Sequence, residues 1–207
     1  MAVPSGRPKA SPSSGAAFGW SPYVNDSVKA VTTSTTGSTV YVGGDFALVN
    51  GHSRRNAGAV STGIATLRAW SPASTGDVAG ELIVSASGNT VFVGGRATGG
   101  YVQAYGPNTG GTPVWNVQTN GDVEALVVSS SILYVGGHFT TVGASHRDHL
   151  AALRATGGTL QSWAPVANGV FGAFGAAITS SRVAFGGEFT TIGGAAHQGV
   201  AQFSGTP

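Results

Sequence analysis

Apolar and polar residues alternate along this chain in short runs. VEALVVSS from Val123, SILYVGGHFTTV from Ser131 and HLAALRA from His149 place apolar side chains at every second position. That is the period of half-buried strands. A Gly-Gly turn at Gly157-Gly158 then opens TLQSW, which ends at Trp163. Ala10 to Ser14 aside, no window shows a 3.6-residue apolar stripe with helix caps. The pattern predicts an all-β chain built of strand, turn, strand, turn, strand, turn, strand.

The pattern also repeats. Trp20, Trp70, Trp115 and Trp163 recur 45 to 50 residues apart. Eight positions after each stands an apolar strand starter, Val28, Val78, Val123 and Phe171. Each run then reaches a glycine pair: Gly43-Gly44, Gly94-Gly95, Gly136-Gly137 and Gly186-Gly187. Four short strands per period in the forties predict the blade of a β-propeller, whereas a solenoid needs one or two strands in a shorter repeat. The blade units fall at about 20–69, 70–114, 115–162 and 163–207. Residues 1–14 read as a flexible Pro/Ser/Gly lead-in, and 15–207 as one propeller domain of four blades with four antiparallel strands each. The last unit stops after its third strand, VAQFSGTP, while GAAFGWSP near the start aligns with GTLQSWAP around Trp163. The N-terminal strand is therefore expected to complete the last blade and leave no free edge. The alternatives are part of a longer propeller, or a ring closed by a second copy, so the chain is a monomer or a ring-closing dimer.

Composition narrows the function. Charged residues make up 9% of the 207 and glycine occurs 34 times, against roughly 25% and about 7% in average domains. So little charge excludes a salt-bridged helical bundle and a charged disordered tail. Ten Lys and Arg against eight Asp and Glu leave a net charge of +2, too weak for a phosphate-tracking surface, so nucleic acid is not an expected partner. The absence of cysteine removes disulfides and thiolate metal sites. No run reaches the roughly 18 apolar residues of a membrane helix, so no membrane insertion is expected. The lead-in has no apolar core of a signal peptide; any such peptide was removed or never present.

GGDFALVNGHSRRNAGAV, GGHFTTVGASHRDHLAAL and GGEFTTIGGAAHQGVAQF resemble the delta-sixty repeat of bacterial β-propellers. Those units look like a valine-rich strand, Gly-Gly-acid-Phe-Thr-Thr-Val, a short polar loop, Leu-Ala-x-Leu and a Trp-x-Pro junction. The resemblance covers nearly the whole chain beyond the lead-in. It implies a propeller, an extracellular or cell-surface bacterial setting, and no particular activity. The second unit departs: GGRATGGYVQAYG lacks the loop between its second and third strands, so one sector of that face should be more open.

The repeating tryptophans suit packing wedges between neighbouring blades, with sugar stacking as the functional alternative. The glycine pairs suit close backbone approach; a phosphate cradle needs a following helix, and none is expected. The residue after each pair varies: Asp45, Arg96, His138 and Glu188. Blade symmetry points these four at one another around the axis. Asp45, His138 and Glu188 would then supply general acid/base chemistry or hold a divalent metal, with Arg96 as a ligand contact. In the plainer reading each side chain ties its blade to the next by hydrogen bonds. The following loops carry further candidate ligand contacts, His52 and Arg54, then His146, Asp148 and His149, then His197. His146, Asp148 and His149 form a weak metal motif, and loop polar groups are ordinarily solvated. Arg54 and Arg147 match an arginine of the repeat that suits blade bracing. Asp26, Asp77 and Asp122 sit in turns, where a carboxylate caps backbone amides. No Gly-x-Ser-x-Gly elbow is present. Two functions follow. One is a non-catalytic secreted or cell-surface binding or scaffold module for a glycan, a cell-wall polymer or a protein. The other is a small hydrolase of ester, phosphoester or glycoside bonds using Asp45, His138 and Glu188, with or without a divalent metal.

Overall fold

The computed structural model describes residues 19–72, 83–97, 99–108 and 110–204, and among these no helix occurs. Three units form three-stranded antiparallel sheets. The first uses Val28–Thr33, Thr39–Gly44 and Ala57–Ser61. The third uses Val123–Val128, Ile132–Gly137 and Leu150–Arg154. The fourth uses Gly172–Ile178, Arg182–Glu188 and Val200–Ser204. In each, the strand starting the unit carries a bulge at Val28/Ala30, Val123/Ala125 or Ala173/Gly175. The bulge brings a backbone carbonyl onto the second glycine of the pair: Ser27 O over Gly44, Asp122 O over Gly137, Gly172 O over Gly187. A Cβ there would overlap the carbonyl, so the second glycine is demanded by close approach.

Among the described residues a full fourth strand exists only in the second unit, whose strands run Ile83–Ser87, Thr90–Ala97, Gly99–Tyr105 and Trp115–Thr119. This corrects the expectation of four strands per blade. In the first and third units the returning segment makes single bridges, Val60 to Leu67 and Leu153 to Leu160. The cause is local. Arg54 Nη2 donates to Arg68 O and Arg147 Nη2 to Gln161 O, each at 3.0 Å. These guanidinium groups hold carbonyls of the returning segment. The second unit lacks that loop, and its fourth strand pairs from Trp115 opposite Ala104 to Thr119 opposite Gly100.

One device recurs that the strand pattern does not reveal. The side-chain oxygen of Asn25 accepts from the amides of Ala47 and Leu48, that of Asn120 from Thr140 and Thr141, and that of Asn168 from Thr190 and Thr191. Each asparagine pins the hairpin after the second strand to the turn opening its unit. The sequence signal was present in VNDSV, TNGDV and ANGVF. Asp26 Oδ1 accepts from Ser27 N at 2.6 Å, as a turn cap. Asp122 instead turns its carboxylate to Arg96, and Asp77 lies outside the described residues.

The starting strands pack in series: 28–33 against 83–87, 83–87 against 123–128, and 123–128 against 172–178. Among the described residues no comparable contact returns from 172–178 to 28–33, and the sheets do not close into a ring. Of the segment expected to close it, residues 15–18 lie outside the described residues. Trp20 donates its indole N–H to Ser61 O at 2.8 Å, on the first sheet.

Trp70, Trp115 and Trp163 are wedges between units. Trp70 lies edge-on to Tyr41 of the first unit at 5.1 Å and to Tyr105 of the second at 6.2 Å. Its indole donates to Gly106 O at 3.0 Å. Trp115 meets Phe92 of the second unit at 5.8 Å and donates to Ala155 O of the third. Trp163 bridges Tyr134 of the third and Phe203 of the fourth, each at 5.2 Å. Edge-to-face pairs suit the ring quadrupole and add to the burial that holds the sheets together.

Candidate functional site

The residue after each glycine pair emerges beside the turn opening a unit, because the bulge aims it there. The four such residues meet four different surroundings. Asp45 Oδ2 lies 3.0 Å from Lys29 Nζ, within one unit. Arg96 reaches across to the third unit, with Nε 2.9 Å from Asp122 and Nη2 3.6 Å from Glu124. His138 reaches the fourth unit, its ring 5.3 Å from Phe171. Glu188 lines a cleft with Phe174. Arg96 and His138 thus join one unit to the next. Among the described residues no three His, Asp or Glu side chains stand close enough together to hold a metal ion.

The loop residues separate as well. His146 Nε2 pairs with Asp148 Oδ2 at 3.0 Å on an exposed hairpin. His149 turns inward: it is buried, left-handed at φ 67°, with Nδ1 3.1 Å from Gly137 O. Its backbone amide donates to Phe139 O, which forces that conformation at the entry to the third strand. Asn56 occupies the same place in the first unit at φ 62°, its amide donating to Gly44 O, and Gly199 does so in the fourth. Asn, His and Gly are the residues that tolerate this region. His149 is therefore a structural residue whose ring also forms part of a cleft wall. His52 is exposed on its hairpin, Arg54 is the brace described above, and His197 donates its backbone amide to Thr190 O.

Two open clefts flank Gly169. One, of about 500 Å³, is lined by Gly99, Asp122, His138, His149 and Val170 among others. It opens beside Gly99, where the second unit lacks its loop. The other, of about 650 Å³, is lined by Phe174, Glu188 and Gln198 among others. Between them runs a series of rings, His138 to Phe171 at 5.3 Å and Phe171 to Phe174 at 6.5 Å. Phe171 and Phe174 are 47% and 49% exposed. Alternation alone did not reveal this wall, since Phe171 reads as an inward strand starter. The signal was Phe174 at the bulge, where the first and third units carry Lys29 and Glu124.

No protein-family model and no curated protein matches the sequence. Solved structures do. The chain superposes on the computationally designed Ika8 protein with a TM-score of 0.53 and 14% identity, over 80% of this chain and 44% of that one. It thus spans less than half of that relative's length. The computationally designed Ika4 protein gives a TM-score of 0.52 at 14% identity, over 87% of this chain and 92% of Ika4. Both are designed propellers. The fold is a β-propeller. The WD40 domain of Neurospora crassa Pan2 is also similar, with a TM-score of 0.47 and 10% identity, over 77% of this chain and 49% of that domain. In propeller terms the units are blades; the first cleft opens where the second, third and fourth blades meet, and the second cleft is lined by the fourth blade.

Proposed function

We propose that this propeller, of four delta-sixty-like blades, is a non-catalytic binding module of an extracellular or cell-surface setting. The exposed aromatic wall His138–Phe171–Phe174 between two polar clefts carries the reading. Solvent-exposed rings beside a concave polar surface are the common form of a ligand site. The Arg96 charge beside it is already paired with Asp122 and Glu124. Such a site offers flat apolar faces beside hydrogen-bonding side chains, which suits a polyhydroxyl ligand. A sugar ring would lay its C–H face on Phe171 or Phe174 and its hydroxyls toward Asp122 and His138. Binding is favoured over hydrolysis because Asp45, His138 and Glu188 stand in separate surroundings.

The test is calorimetric titration with soluble β-linked glucan oligosaccharides, and pull-down on insoluble peptidoglycan, for the native chain and a Phe171→Ala/Phe174→Ala variant. Both rings are half exposed, so the double variant should keep its stability within about 1–2 kcal/mol. Binding of either probe, weakened at least about tenfold in the variant, supports the reading. Equal binding by both proteins, or none by the native chain, overturns it.

A further inference from the structure

Between the second and third blades, and again between the third and fourth, the same two positions meet. The residue after the glycine pair of one blade faces the opening turn and bulge of the next: Arg96 meets Asp122 and the bulge residue Glu124, and His138 meets Phe171, beside the bulge residue Phe174. At the ends of the series stand Glu188 on the fourth blade and the bulge residue Lys29 on the first, which lies 3.0 Å from Asp45 of its own blade; among the described residues neither faces an adjoining blade. Their charges are opposite, the reverse of the Arg96–Glu124 pair. We propose that a second copy of this chain docks head to tail. Its first blade lies on the fourth blade of the other copy, Glu188 faces Lys29 of the second copy, and two such junctions close the ring.

The end faces are the two halves of the interface already present three times within the chain. On the third blade Leu150 is fully buried by the fourth; its counterpart on the fourth blade, Val200, is 66% exposed. A Cβ at Gly136 would stand 2.9 Å from the Ala173 Cβ of the next blade, whereas at Gly186 it would meet only Gly199 O at 3.8 Å. On the first blade Val31 is 64% exposed, while its counterpart Leu126, facing the second blade, is buried. The outer face of the fourth blade is also more polar. Arg182 and Gln202, 3.1 Å apart, stand where the third blade has Ile132 and Ala152, and Ala184 stands where it has Tyr134. A face that meets water whenever the copies part needs that polarity, as terminal repeats do. The junction is accordingly weaker than the internal ones. A heterologous contact of this kind gives a closed assembly when its rotation closes.

Charge reversal tests the pairing. Sedimentation and light scattering should show the native chain at twice its 20.5 kDa mass at micromolar concentration, weakening as salt is raised. Glu188→Lys and Lys29→Glu should each run as monomers, with dimerisation weakened roughly a hundredfold by like charges at both junctions. An equimolar mixture of the two variants should recover the dimer, because each junction then pairs opposite charges. Circular dichroism confirms that both variants keep native strand content. Val200→Asp, at a side chain already in water, supplies an independent variant that should also be monomeric. A native chain that stays at monomer mass throughout, open-ended larger species, or a mixture that fails to recover the dimer overturns the proposal.

Discussion

Removing the wedge between the first two blades should cost far more than removing its repeat-mate at the end of the series. Trp70 is fully buried, edge-on to Tyr41 and Tyr105, with its indole N–H on Gly106 O. Trp70→Ala deletes all of this at once and leaves a cavity between two sheets, a change that typically costs about 3–5 kcal/mol. Trp20 stands at the equivalent sequence position but, among the described residues, packs on one sheet only, against the cluster of Val40, Val42 and Val60. It is partly exposed, with its N–H on Ser61 O. Trp20→Ala forfeits one-sided burial and one hydrogen bond, on the order of 1–2 kcal/mol. For a chain of this size, with a midpoint shift of roughly 2–4 °C per kcal/mol, the first variant should melt about 10 °C lower and the second a few degrees lower. Thermal unfolding of dilute protein, followed by far-UV circular dichroism, measures both. Equal losses would refute the reasoning, since they would mean that Trp20 is enclosed from both sides as Trp70 is.

Burial pushes the Tyr101 phenol up to about 12 and raises those of Tyr41, Tyr105 and Tyr134. An unfolded phenol titrates near pH 10. The folded chain therefore holds these protons more tightly. This stability is intact below pH 10 and is lost as the pH rises through about 12, on the order of 2–3 kcal/mol for Tyr101 alone. Tyrosinate absorbance from these phenols should rise together with the loss of circular dichroism; ionisation well ahead of unfolding would contradict the burial argument. At the left-handed entry to the third strand, His149→Asn should stay within about 1 kcal/mol of native stability, because Asn56 makes the same contact. His149→Val should lose about 2–3 kcal/mol through backbone strain and the missing hydrogen bond. Denaturant midpoints distinguish the two, and similar losses would count against the conformational explanation.

The residues themselves carried the strands and their repeat. Alternation along 123–128 and 132–137, the Trp period and the glycine pairs all report on near neighbours. A side chain's face and the room at a Cβ are set within one sheet, and every copy of the motif repeats them. Arg54 and Arg147 were legible as braces only through their match to an arginine of the resembled repeat. The fourth strand of the first and third units was not legible, because a guanidinium on a carbonyl replaces ladder pairing without changing the apolar pattern. His149 was misleading: in the string it stands next to a carboxylate and three places from another imidazole, yet its backbone conformation sends the ring inward.

Symmetry was the larger trap. Asp45, Arg96, His138 and Glu188 hold one position in the repeat, and a repeat by itself makes them equivalent. Equivalence holds only if every unit has the same neighbours, and among the described residues the series of sheets does not close. Arg96 and His138 meet the blade that follows, Asp45 meets a lysine of its own blade, and Glu188 faces a cleft beside Phe174. Alternation, repeat length and backbone space are short-range properties, and the sequence by itself determined them. Which charge meets which partner, and which apolar faces remain open, depends on how whole sheets stand against one another, and only the tertiary structure decided that.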